Sequence, residues 1–301
     1  MPSTMPGSLY KRIPKTQIVS AFRSPCPITG ISPDREGGAW ICDYASKNVR
    51  YIDHNGEVKV IIGYGVNIKD VDVSPTTQNL WACSHEDHSI MECTEETPSI
   101  RFQTDYRPYS VCVTLDEQVI VGMEKRVTKY STNGKILLST SASSSLSCLP
   151  LFCRPARFKG SCVCTPHRIS ECHMTRNFAV VDLDWSDDGG NDRPYVLVMN
   201  KNFQELFRYH GNTPRDVTVR GETNSFYPCD ARYDSDGCLV IGDTDNRCIH
   251  LLTGHGQYLR LIHTDRVFPR ALGLNEHNVL WSVFGVLGEG DVKLMLYNRT
   301  E

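Results

Sequence analysis

No run of about 18 apolar residues occurs among the 301 of this chain, so no membrane-spanning helix is expected. Lysine and arginine do not outnumber the acids, and the net charge is −3. That balance lacks the basic excess of a dedicated nucleic-acid binder, and no DNA partner is expected. No Cys-x2-Cys pair and no heptad run is present, which leaves out zinc-finger modules and coiled coils. A Gly-rich phosphate loop is missing, as is a Gly-x-Ser-x-Gly nucleophile elbow. Residues 1–20 carry Lys11, Arg12 and Lys15 without an apolar segment behind them, so no secretory leader is read there.

What is present in excess is cysteine, 13 in all. Without a leader these are expected as free thiols in a cytoplasmic chain. The densest group is Cys148, Cys153, Cys162, Cys164 and Cys172, with His167 and His173 nearby. Its spacing is irregular for a zinc site, so it reads as an inserted loop. Arg154, Arg157, Lys159, His167 and Arg168, interleaved with Phe152 and Phe158, read as a solvated basic stretch of the same loop. Asp182, Asp184, Asp187, Asp188 and Asp192 crowd around Gly189-Gly190 and read as a polar hairpin connection.

The dominant signal is a strand repeat of about 40 residues. Six β-branched or aromatic runs serve as second strands: Ala39–Asp43, Asn79–Ser84, Val119–Met123, Phe178–Asp184, Cys238–Asp243 and Val279–Phe284. A third strand follows each, then in several units a tight turn such as Asn55-Gly56, Asn133-Gly134 or Gly254-His255-Gly256. First strands usually begin after a proline, at Pro27, Pro108, Pro166, Pro228 and Pro269. Outer strands number five: Val58–Gly63, Ser99–Thr104, Lys135–Thr140, Leu206–His210 and Tyr258–His263. The sixth is missing at the C-terminal end, and Thr16–Phe22 is a spare strand at the other. Pairing it with Val292–Tyr297 closes a ring and removes the exposed edges of an open array.

The expectation is therefore an all-β, six-bladed β-propeller closed by its N-terminal strand. Residues 1–15 form a tail, and 16–301 form one propeller with an insertion at about 141–165. The stretch from Pro108 to Pro228 has room for a further unit, which leaves seven blades as the alternative.

Asp243-Thr244-Asp245-Asn246-Arg247, followed by Cys248-Ile249-His250-Leu251, resembles the NHL-repeat signature, with Asp243, Asn246 and Arg247 as its structural residues. Residues 43–51 carry a looser copy. The whole chain resembles the C-terminal propeller of tripartite-motif (TRIM-NHL-like) proteins. That resemblance implies the recognition half of a ubiquitin-pathway protein: no enzyme, no cofactor, a protein partner, or RNA as the alternative. Loops on a rigid ring are where binding concentrates. The b–c and d–a connections share one face, and Tyr44, Lys47, His85, Tyr106, Arg107, Arg247 and Arg266 fall there as candidate binding residues. A second alternative is a metal-dependent six-bladed hydrolase or lyase. It needs carboxylates converging from different blades on the channel mouth.

Overall fold

The computed structural model describes residues 16–140, 163–212, 225–286 and 289–297. The N-terminal tail lies outside this set, as does nearly all of the insertion expected at 141–165. The described strands form six four-stranded antiparallel sheets, each running a-b-c-d from the axis outwards. The inner strands are Gly30–Pro33, Asp70–Val73, Pro108–Val113, Pro166–Glu171, Pro228–Tyr233 and Pro269–Leu274, and they define blades 1 to 6 in chain order. No seventh sheet occurs among the described residues.

The sixth sheet has only three strands of its own. Its outer strand is Gln17–Arg23, which pairs antiparallel with Glu289–Leu296, from Gln17 opposite Leu296 to Arg23 opposite Asp291. The spare strand and the missing strand are thus one pair, as the repeat predicts. A bulge between Ile18 and Ser20 adjusts the register. Phe22 from this borrowed strand lies edge-on to Trp281, ring centroids 6.3 Å apart.

A recurring contact locks outer strands to the next blade. Gly56 sits at φ +85° in the blade 1 turn, where no side chain fits because the Phe22 ring of blade 6 lies against it. Phe102 of blade 2 covers Gly134 of blade 3 in the same way, and Phe207 of blade 4 covers Gly256 of blade 5. The turn glycine thus supplies both the left-handed backbone of a tight hairpin and room for a neighbour's aromatic ring.

Between blades the sheets pack through buried aliphatic clusters. One joins Ile31, Ile41 and Ile52 of blade 1 to Ala271, Trp281 and Val292 of blade 6. Another joins Val181 and Val196 of blade 4 to Ala231 and Ile241 of blade 5. All ten described cysteines are free, and eight of them are buried. They fill space as small hydrophobes.

The acidic segment forms a hairpin connection, as its sequence suggests. Asp182 accepts from the backbone N–H groups of Cys164, Thr165 and Asp184, and from the Tyr195 hydroxyl at 2.7 Å. Asp184 accepts from Asn191 N and Arg193 N. These carboxylates organise the loop.

Ring closure makes a direct prediction. Phe22→Ala should cost about 2 kcal/mol, below the 3–5 kcal/mol usual for a fully buried phenylalanine because this ring is half-buried. Urea denaturation of the two proteins side by side measures it. A cost near zero would mean that the borrowed strand does not hold the ring shut.

Candidate functional site

The site is built on the six inner strands, whose registers can be superposed. Gly30, Asp70, Ser110, Arg168, Asp230 and Ala271 occupy one equivalent rung, opposite Cys42, Cys83, Gly122, Val181, Gly242 and Val283. Two residues on, Ser32, Asp72, Cys112, Ser170, Arg232 and Gly273 occupy a second rung. Charged residues in buried strands are costly, yet three aspartates and two arginines stand on these rungs.

They pair with one another across the axis, although Asp70 Oδ1 and Arg168 Nε are buried without a hydrogen-bond partner. Arg168 of blade 4, 2% exposed, donates through Nη2 to the Thr29 carbonyl of blade 1, on the opposite side of the ring. It pairs with Asp70 of blade 2 at 3.7 Å and with Asp230 of blade 5 at 3.9 Å. Arg232 pairs with Asp230 at 3.1 Å and donates to the Leu272 carbonyl of blade 6. The aspartates also bind the next blade's backbone. Asp70 accepts from Val111 N, Asp72 from Val113 N at 2.8 Å, and Asp230 from Leu272 N at 3.0 Å. Burial pushes the Asp72 carboxyl up to about 6 and raises Asp70 as well, against the pull of the arginines. This network plugs the channel and divides it into two mouths.

The residue just before the upper rung gives the mouth on the b–c side: Thr29, Lys69, Tyr109, His167, Cys229 and Arg270. Among the described residues Lys69 and Arg270 have no carboxylate within ion-pair distance, although Asp70 acts on Lys69 and Asp43 on Arg270 at longer range. The Lys69 ammonium instead lies 4.5 Å from the Tyr44 ring centroid. Burial lowers both cations from their usual range. His167 is driven well below the normal imidazole range, by burial first and then by the nearby Arg168 and Lys69 charges. It is neutral at pH 7. Its Nδ1 is closed off from solvent and has no hydrogen-bond partner. An unpaired buried polar atom costs about 1–3 kcal/mol, so its retention asks for a reason.

Beside it opens a cavity of about 480 Å³ lined by His167, Trp185, Tyr227, Cys229, Phe268 and Arg270, among others. Trp185 Nε1 donates to the Tyr227 hydroxyl at 3.2 Å, which fixes this aromatic wall. A concave site with apolar walls and a few placed polar groups is the usual form of a small-molecule pocket.

Most sequence-derived candidates lie elsewhere on this face. The two sets of connections do share it: Asp265 N donates to Arg247 O, Tyr64 N to Lys47 O and Thr104 N to His88 O. Tyr44 and His85 come together, rings 6.5 Å apart, and His85 stacks toward Tyr109 at 5.2 Å. Tyr106 packs under Arg126 instead. Arg247 donates to the Arg266 carbonyl, Lys47 and Arg107 are exposed, and the Arg107 charge reaches His85 and Tyr109. The seven do not form one patch. His167 and Arg168, read from sequence as part of a solvated basic loop, stand instead in the inner strand of blade 4. Arg168 is among the most buried side chains of the protein. The signal that could have found them was charge recurring at one position of the 40-residue repeat.

A divalent cation over this mouth would need converging carboxylates. The mouth offers two cations, a neutral imidazole, a thiol, Thr29 and Tyr109. The Tyr109 hydroxyl donates to Asp188, a single carboxylate also held by Thr165. Asp70 and Asp230 below the mouth are engaged by Arg168 and by backbone. The residues present do not fit such an ion.

No protein-family model matches the chain, and no curated protein matches it in sequence. Solved structures do match in fold. A gluconolactonase from Xanthomonas campestris aligns with a TM-score of 0.61 at 12% identity, over 91% of this chain and 86% of its own. A catalytically inactive histidine-to-alanine variant of Staphylococcus aureus virginiamycin B lyase, solved with quinupristin, aligns at 0.58 and 12%, over 93% and 99%. A putative oxidoreductase (glucose dehydrogenase) from Thermus thermophilus aligns at 0.60 and 12%, over 94% and 100%. At 12% identity these similarities show the fold, and that fold no longer supports the functional expectation. The ring was read as a non-catalytic recognition platform and the chain as no enzyme, yet rings of this shape carry catalysis in the proteins named.

The plug predicts a pH-dependent penalty. Arg168→Met should destabilise the fold by about 3–5 kcal/mol at pH 7, because Asp70 loses its buried counter-charge while Asp230 keeps only Arg232. The loss should shrink toward pH 4, since a buried Asp70 whose carboxyl is already raised takes up a proton and sheds its charge. Denaturant titrations at both pH values check it. An equal loss at both would count against an electrostatic plug.

Proposed function

We propose that this chain is a six-bladed propeller hydrolase or lyase, with its reaction centre at the plugged mouth beside the aromatic cavity. The observation that carries the reading is His167, a neutral imidazole with an orphaned Nδ1, within electrostatic reach of Lys69 and lining one cavity with Arg270. With Nδ1 closed off, Nε2 is the nitrogen left to take a proton from substrate or from an attacking water. Arg270 lines the same cavity, and the Lys69 charge reaches the His167 ring. Both can stabilise negative charge as it develops on an opening ester or lactone. Trp185 and Tyr227 would hold the apolar body of the ligand and exclude water. The catalytic fold neighbours support this reading, one of them inactivated by loss of a histidine.

The NHL resemblance is retained only as a proposal about blade architecture. Its support is the b–c connection of blade 5, where Asp243 accepts from Tyr227 N and Asn246 donates to Asp243 at 2.7 Å.

The test uses purified protein with glucono-lactone and quinupristin as probes, followed by acid release and by chromatography. Turnover of one of them is expected, with a loss of about 10²-fold or more in kcat/KM for His167→Ala. Because the imidazole is depressed, the protonated form appears only well below pH 6.5, so kcat/KM should stay flat from pH 8 down to about 6. Activity should survive EDTA. Absence of turnover with both probes, or full activity in His167→Ala, would overturn the proposal.

A further inference from the structure

Blade 5 holds a second chemical constellation, away from the mouth. Asp243 ends strand b, and Cys248 and His250 lie on strand c of the same hairpin. Cys248 and His250 are two residues apart, which puts both side chains on one face of the strand. All three are buried, with exposures of 0%, 2% and 2%. Cys248 Sγ lies 3.1 Å from His250 Nε2, and Asp243 Oδ2 lies 3.5 Å from the same nitrogen. One ligand atom from each fits within 4.8 Å of the other two.

We propose that Asp243, Cys248 and His250 form a binding site for a single zinc-class divalent cation. Ligand atoms sharing one zinc, with bonds of about 2.0–2.3 Å, stand about 3.3–3.6 Å apart, close to the two separations from His250 Nε2. Charge also balances. A thiolate and a carboxylate neutralise a dication, and the imidazole adds none, so the loaded site carries no net charge into the interior. The outer contacts are those that orient metal ligands. The Tyr209 hydroxyl meets His250 Nδ1 at 2.8 Å and leaves Nε2 for the metal. Asn246 donates to Asp243 Oδ2 and steadies the carboxylate. Tyr209, Phe226 and Tyr258 surround the imidazole as an aromatic sheath. Three protein ligands leave the fourth tetrahedral position to water. On binding, the Cys248 thiol gives its proton to solvent, so affinity falls as pH is lowered.

The probe is Co²⁺ alone, titrated into metal-free protein and followed by absorption. One equivalent should produce tetrahedral cobalt bands with an ultraviolet thiolate-to-cobalt transition, displaced by one equivalent of Zn²⁺. Zinc should also raise the Tm. The bands should vanish in Cys248→Ala and persist in the triple variant Cys148→Ser, Cys153→Ser, Cys162→Ser, which removes three other thiols. Because a buried substitution can unfold the hairpin, the wild-type and triple-variant titrations stand as tests by themselves. No thiolate band in wild type, or a band lost with the triple variant, overturns the proposal. So does a band retained by folded Cys248→Ala.

Discussion

A sheet edge left open exposes a row of unpaired N–H and C=O groups, and a ring of blades has one such vulnerable place, where the chain begins and ends. Here Gln17–Arg23 fills it, so that blade 6 gains an outer strand and blade 1 is packed from both sides. The consequence reaches the axis. Six inner strands hold their rungs level only when each blade is clamped by two neighbours. The aromatic-on-glycine contacts at the rim, Phe22 on Gly56 among them, are the same clamp seen from outside.

Once the inner strands are level, the axis becomes an electrostatic problem. Arginine and aspartate from the inner strands of blades 2, 4 and 5 meet in a space too narrow for a hydrophobic core. Each charge there is offset by a partner from another blade or by a backbone group. Arg168 spans the ring to Thr29, while Asp70, Asp72 and Asp230 each grip the following blade. The plug thereby ties the blades together and gives the upper mouth a floor. It also sets the chemistry of that mouth, because the Arg168 charge, together with burial, keeps His167 neutral. One arginine thus takes part in the ionic pairing and, after burial, in the state of the candidate base.

The proposal of catalysis in place of recognition rests on where the polar groups are. A recognition face would gather its aromatic and arginine anchors into one patch. The residues expected to do so are spread over the face: Tyr106 is occupied by Arg126, Arg247 by a neighbouring carbonyl, and Tyr44 and His85, with Arg107 near them, adjoin the mouth. The concave, partly unsatisfied groups lie on the axis instead, in a fold that the solved enzymes share.

The fold was legible in the linear chain. Strand periodicity, prolines at inner-strand starts, glycine at hairpin turns and one displaced outer strand are local or counting signals, and a four-strand repeat admits few closed arrangements. The acidic hairpin was legible too, since Asp and Gly side by side favour a turn wherever they occur. The candidate site was not. His167 and Arg168 sit beside lysines and arginines in the chain, so linear proximity suggested a solvated loop. Their true neighbours, Lys69, Asp70 and Asp230, belong to other blades and come within reach only when the ring closes. Burial and electrostatic coupling depend on distance in space. No pattern within one repeat carries that distance.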